Sequence, residues 1–288
     1  MRIVSPAKIN LFLNIIGKRS DGYHNLETLM CCISLYDEVA LQFNTSHTSV
    51  LCSDPHVPLD GTNLALRAAT LFFSTLNISG GVEITIEKRI PVAAGLGGGS
   101  SNAASVLLGL NDHFGRPFSR DQLLSLGLSL GADVPFFLVQ KPAFATGIGE
   151  TLKPFSGLYP YHIVLINPGF SVSTAEIYRN LNLRLTKCKK KITFAHLKKC
   201  GFDVALHLCN DLETVTASTY PAIASIKEKL IRYGALGALM SGSGPTVFGL
   251  FSDLKSAKIA RDALSRNGYW RLYLADMIVD SGIRIENS

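Results

Sequence analysis

The chain has 288 residues, 47% of them hydrophobic and 17% charged, with a formal net charge of +6. This is material for one large domain or two of ordinary size, and it excludes a disordered chain. Lysines and arginines are scattered, and their densest cluster, Lys187 to Lys191, lacks interleaved aromatics. The balance therefore suits an anionic small molecule, and a nucleic-acid partner is not expected.

In chain order, residues 7 to 15 alternate. Ala7, Ile9, Leu11, Leu13 and Ile15 face one way, and Lys8, Asn10, Phe12 and Asn14 the other. That pattern predicts a half-buried strand whose second face is polar. "GKRSDGYHN" reads as a turn and "LETLMCCISLYDEVALQF" as more strand. Asn63 to Asn77 predicts an amphipathic helix, and "GVEITIEKRI" a strand with Val82, Ile84 and Ile86 on one side. A glycine-rich loop follows, then a helix from Ser100 to about Phe114 and another over about Arg120 to Leu130, which ends in "GADVPFF". Strand-like "AFATGIGETLKPF" closes the first half.

"YHIVLINPG" opens a second unit, so the expected domains are 1–155 and 156–288. Helices are predicted around 173–181, 192–199, 203–216 and 221–233. Strands 235–241 and 246–251, a helix over 253–266 and a strand over 271–279 complete it. The order suggests an α+β sandwich. Gly234 to Phe251 is long and uncharged enough to suggest a membrane span, but Ser-Gly-Ser-Gly-Pro at its centre breaks a helix. It reads as strand, turn, strand, and no membrane partner is expected. The first residues show no apolar block long enough for a signal peptide.

Cysteines stand at positions 31, 32, 52, 188, 200 and 209, with no Cys-x-x-Cys pair. They read as reduced thiols of a cytoplasmic protein. His196, Cys200, His207 and Cys209 do not repeat a known zinc knuckle, so no zinc site is expected.

The stretch "PVAAGLGGGSSNAASVLLGL", Pro91 to Leu110, carries the chemistry. A strand, a glycine-rich loop and a helix opening on two serines make an anion site. Glycine lets a phosphate approach backbone N–H groups with no Cβ in the way. The helix N-terminus adds free donors and the positive end of its dipole. The competing reading is a hinge with an ordinary cap. Neither Gly-x-x-x-x-Gly-Lys-Ser/Thr nor Gly-x-Gly-x-x-Gly is present in the loop, so it is neither a Walker A site nor a dinucleotide fingerprint.

"PVAAGLGGGSSNAA" resembles the central motif of the GHMP superfamily, small-molecule kinases that act on galactose, homoserine, mevalonate and phosphomevalonate. "SPAKINLFLNIIGKRSDGYHNLETLM" resembles its N-terminal motif and "SGSGPTVFGLF" its third. Within the superfamily, "DGYHNLETLM" and "LGADVPFFL" are similar to kinases of the non-mevalonate isoprenoid route. Those kinases phosphorylate a hydroxyl of a cytidine-diphosphate-linked methylerythritol. The resemblance implies an α+β, two-domain fold: an N-terminal domain like ribosomal protein S5 and a ferredoxin-like C-terminal domain. It implies ATP and Mg²⁺ as cofactors and a small-molecule substrate, in a monomer or homodimer. One departure is Ala93-Ala94, where these kinases often have glycine. Methyl groups there would tighten or shift the phosphate cradle.

The resemblance also implies roles. Asp133 would accept the proton of the acceptor hydroxyl, and Lys8 would pair with it and offset charge on the moving phosphoryl group. Read without the family, Asp133 is a turn cap and Lys8 a solvated strand residue. Asn10 and Thr174 would orient the acceptor. Tyr23 and Tyr178 would sandwich the cytosine and His24 would bond its edge; the alternative for Tyr23 and His24 is a surface turn. ATP would lie over Pro91, Val92, Ala93, Ala94, Gly95, Leu96, Gly97, Gly98, Gly99, Ser100 and Ser101. Asn63 would lie near adenine or merely cap its helix. Mg²⁺ would come with ATP, with Ser100 or Ser101 a candidate ligand. Two other functions compete: a homoserine- or mevalonate-type kinase, and a nucleotide-binding protein without catalysis.

Overall fold

The computed structural model describes residues 1–181, 188, 192–266, 268–279 and 285–286. The first half begins with strands β1 (Arg2–Lys18), β2 (His24–Thr45) and β3 (Ser49–Cys52). Helix α1 (Leu64–Leu76), strand β4 (Gly81–Glu87) and helices α2 (Gly98–His113), α3 (Arg120–Leu130) and α4 (Val134–Val139) follow, then β5 (Ala143–Thr146) and β6 (Thr151–Pro154). The second half holds β7 (His162–Asn167), α5 (Thr174–Arg179), α6 (Phe194–Cys200), α7 (Val204–His207), β8 (Cys209–Asn210), α8 (Asp211–Thr219) and α9 (Ala222–Arg232). It ends in β9 (Gly237–Met240), β10 (Val247–Phe251), α10 (Leu254–Ser265), β11 (Arg271–Ile278) and β12 (Ile285–Glu286).

β1 and β2 form a long antiparallel pair running from Arg2 opposite Ala40 to Lys18 opposite His24. The order along the main sheet is β12-β1-β2-β11-β7-β10-β9. β4 and β5 also pair with β2, and β8 lies parallel to β1. Both halves thus share one sheet, through β1–β8 and β2–β11.

The residues of β1 from Ser5 to Ile15 are buried on both faces, so the expected half-exposed strand is corrected. Helix α2 covers one side, and Ile9, Leu11 and Phe12 join a core with Leu165 and Phe248 from the second half. A register shift between Asn10 and Phe12 interrupts the alternation. Burial of Lys8, Asn10 and Asn14 on such a strand requires partners or a function.

Three further differences have local causes. α2 begins at Gly98, two residues before the expected serine. "GADVPFF" ends α3 as expected, with Gly131 as its C-cap, but it also starts α4, because Pro135 sits in the first turn of that helix, where its missing N–H costs nothing. The helix expected over 203–216 is broken into α7 and α8. Between them Cys209 and Asn210 pair with Phe12 and Leu13 of β1.

Cys188 and Cys209 are joined in a disulfide, which corrects the expectation of six free thiols. Cys31, Cys32, Cys52 and Cys200 are free. In the lysine cluster, Lys187, Lys189, Lys190 and Lys191 lie outside the described residues. Gly234 to Phe251 contains β9 and β10, an antiparallel pair, and among the described residues no helix is long and apolar enough to cross a membrane.

Candidate active site

A cavity of about 1120 Å³ runs between the β1–β2 pair, the glycine loop, and α5 of the second half. Every predicted site residue lines it except Leu96 and Ser101. Leu96 is buried in the core, and its carbonyl accepts the Lys8 N–H at 2.9 Å. Ser101 turns inward, its Oγ 2.9 Å from Ser5 Oγ. Of the two serines, Ser100 is the one open to the cavity.

Gly97 precedes α2 with φ +72°, and no side chain caps the helix. The first-turn N–H groups are left for a ligand, at the positive end of a 16-residue helix. Glycine is required at this turn, since a Cβ at Gly97 would stand 2.9 Å from the Phe137 ring and 3.1 Å from Lys8 Cγ. The loop is fastened to the third motif. Ser241 Oγ donates to the Gly95 carbonyl at 2.9 Å, and a Cβ at Gly95 would strike the Ser241 carbonyl. Ala93 lies in the left-handed region at φ +52°, so the departure from glycine falls on a residue whose backbone favours glycine. Asn63 caps α1, accepting from Ala65 N at 2.9 Å and Leu66 N at 3.3 Å, and also lines the cavity.

Lys8 and Asp133, 125 positions apart, meet in this cavity. Lys8 Nζ is 3.6 Å from Asp133 Oδ2 and donates to Asn10 Oδ1 at 2.6 Å. Asn10 Nδ2 donates to Thr28 Oγ1 at 2.9 Å, and Thr28 Oγ1 to the Phe12 carbonyl at 2.6 Å. This chain of bonds fixes the amide of Asn10 and aims its oxygen at the ammonium. Asp133 occupies the N-cap position of α4 but makes no capping bond. Its carboxylate is left for a proton or a cation.

The far end of the cavity holds Tyr23, His24, Thr174 and Tyr178. The His24 and Tyr178 rings lie 5.3 Å apart, tilted by 34°. Tyr23 stands 60% exposed on the turn. The rings in contact are therefore His24 and Tyr178. Burial, and then the positive charge of Lys18, lowers the His24 pKa, which favours the neutral imidazole. Burial, and then the negative charge of Asp133, raises that of the Tyr178 hydroxyl. Thr174 Oγ1 and Ser243 Oγ are 2.8 Å apart.

Sequence reasoning missed Ser243, Lys88 and Thr28, which also line the cavity. Ser243 lies inside the quoted third motif, and that was its signal. Lys88 directly precedes the glycine loop, where a lone lysine in "EKRI" carries no pattern.

The chain matches the GHMP kinases N terminal domain over residues 63–141 and the GHMP kinases C terminal domain over 201–269. It is 48% identical to the 4-diphosphocytidyl-2-C-methyl-D-erythritol kinase of Syntrophotalea carbinolica, over 96% of this chain and 99% of that protein. It is 47% identical to the enzyme of the same name from Syntrophus aciditrophicus, over 95% and 98%. A crystal structure of 4-(cytidine 5'-diphospho)-2C-methyl-D-erythritol kinase superposes with a TM-score of 0.80 at 35% identity, covering 96% of this chain and 99% of that one.

Proposed function

This chain belongs to the GHMP kinases, among them to the 4-diphosphocytidyl-2-C-methyl-D-erythritol kinases, and on that premise we propose how its residues carry out the reaction. It is an ATP-dependent kinase that phosphorylates the 2-hydroxyl of 4-diphosphocytidyl-2-C-methyl-D-erythritol in the non-mevalonate route to isoprenoid precursors. The observation that carries the mechanism is the Lys8–Asp133 pair at 3.6 Å inside the cavity bounded by the glycine loop.

Phosphoryl transfer needs positioning and charge stabilisation more than covalent help. The ATP phosphates lie against the free N–H groups of Gly98 and Gly99, at the start of α2. Asp133, uncommitted to its helix, accepts the proton of the acceptor hydroxyl as the new O–P bond forms and the bond from the γ-phosphorus to the bridging oxygen breaks, releasing ADP. Lys8, held by Asn10, places a fixed positive charge where the transferred group carries negative charge. Residues 1–155 form the ATP-binding and catalytic part, and 156–288 contribute Thr174 and Tyr178 to the acceptor. The hydroxyl of Ser100 is a hard oxygen donor open to the phosphate end, which fits Mg²⁺. Bound there with ATP, the ion would neutralise phosphate charge. His24, with Tyr178 against it and Tyr23 at the rim, receives the cytosine.

A panel of acceptor alcohols with ATP and Mg²⁺ tests the reading. Turnover confined to the cytidylated methylerythritol supports it. Turnover of homoserine or mevalonate instead would overturn the substrate, and ATP binding without turnover would overturn the enzyme.

A further inference from the structure

Asp37 lies on β2 opposite Ser5 of β1, and its side chain is wholly inaccessible. It does not line the cavity. It nevertheless gathers four donors. Oδ1 accepts the backbone N–H groups of Arg89 at 2.8 Å and Ile90 at 2.9 Å. Oδ2 accepts Asn102 Nδ2 at 3.0 Å and the ammonium of Lys88. Residues 88–90 enter the glycine loop, and Asn102 stands on α2 where the loop ends. One carboxylate thus ties together the two ends of the phosphate-binding segment.

The segment between those ends needs such a clamp. Ala93, Gly95 and Gly97 all have positive φ, at 52°, 75° and 72°, so the conformation is not one the chain prefers unaided. The clamp continues beneath the helix. Asn102 Nδ2 also donates to Ser5 Oγ at 3.1 Å, as does Ser105 Oγ at 3.1 Å. Lys88, paired to Asp37, reaches the loop itself, since a Cβ at Gly98 would lie 3.1 Å from Lys88 Nζ. A fully buried carboxylate is costly to keep, and an apolar pair of similar volume often serves stability as well.

We propose that Asp37 is a positioning residue for the phosphoryl donor: it fixes both ends of the glycine loop and holds the Lys88 ammonium beside Gly98. The proposal rests on the reading that this loop binds the ATP phosphates. Asp37 touches no substrate and acts through Lys88 and the loop backbone.

The test is Asp37→Asn in the full chain, with steady-state kinetics, calorimetric ADP binding and a thermal melt. The amide keeps the shape but replaces one acceptor oxygen with a donor facing Lys88 or the Arg89 and Ile90 amides. The KM for ATP and the Kd for ADP should rise about tenfold or more, while the KM for the cytidylated acceptor stays within about twofold. A lower melting temperature with both nucleotide constants unmoved overturns the proposal, because a merely structural pair behaves that way. Gly98→Val separates this from failure of the loop reading. If Gly98→Val weakens ADP and Asp37→Asn does not, Asp37 alone is wrongly assigned; if Gly98→Val leaves ADP unmoved, the loop reading falls and the proposal with it. If Asp37→Asn does not fold, amide exchange in the unaltered chain decides. Slow exchange at Arg89 and Ile90 without nucleotide supports the clamp, and fast exchange at both overturns it.

Discussion

Lys8 and Asp133 form an ion pair of unequal halves: the lysine side chain is 5% exposed and the aspartate side chain 38%. The cation is built into the sheet, while the carboxylate faces the cavity on an uncapped turn. A pair serving stability alone gains little from leaving one partner wet. A base that must meet a substrate hydroxyl requires it.

Asp133→Asn should therefore leave the fold and ATP affinity intact and lower kcat by about 10²–10⁴. Rate and nucleotide affinity are measured side by side. A near-unaltered kcat would remove Asp133 from the mechanism.

Gly97→Ala should damage the rate through Lys8. The new Cβ would press on the Phe137 ring and Lys8 Cγ, and it would sit at a φ costing an L-residue roughly 1–2 kcal/mol. Moving a catalytic group by a fraction of an ångström is expected to lower kcat about tenfold or more. A folded variant with wild-type kcat would show that the ammonium is not held by this contact.

His24 sets a pH dependence. Its folded pKa lies below the ordinary 6.5, so the unfolded chain takes up the proton first as pH falls. The stability linked to it is complete above that ordinary value and is lost on acidification through the lowered folded value. Protonation also places charge in the pocket proposed for the cytosine. Acceptor KM should thus be flat above about pH 7 and climb below about pH 6, with the KM for ATP unmoved. His24→Ala should raise acceptor KM about tenfold and abolish the climb. A climb that survives the substitution belongs to another group.

Ala93 and Ala94 offer a contrast within one dipeptide. Ala93 holds φ +52°, so Ala93→Gly relieves roughly 1 kcal/mol of strain that offsets the extra entropy of glycine. Ala94 is buried without that strain, so Ala94→Gly gains nothing in return and should cost about 1 kcal/mol. Denaturant titration of both should leave Ala93→Gly at or above the parent and Ala94→Gly below it. The reverse order would mean that the loop relaxes in solution.

The strands and long helices were legible because their signals are local. Helix α3 was placed at its observed bounds, and a capping box between Ser119 and Gln122 fixes its start. The glycine-rich loop between β4 and α2 was legible for the same reason, as glycines, strand and helix lie within one window. Lys8 and Asp133 were not, because nothing nearby in sequence marks either; only the family motifs joined them. Asp37 escaped altogether, since its partners are Lys88, Arg89, Ile90 and Asn102. The split of 203–216 was hidden in another way. Asn210 leaves the helix to donate to the Met240 and Gly242 carbonyls, both at 2.8 Å, and Asp211 accepts the Ile15 N–H at 2.8 Å. Those bonds outweigh helix propensity but appear only once the chain has closed.

The shared sheet has a consequence for how the protein is made. β1 and β2, which carry Lys8, Asn10 and His24, take Cys209 and Met277 as pairing partners. A ribosome exposes these two strands early and their neighbours last, a delay on the order of ten seconds at ordinary elongation rates. During that interval the unpaired edges of two long apolar strands are open to other chains. The need for chaperone protection should therefore peak before the final strand emerges.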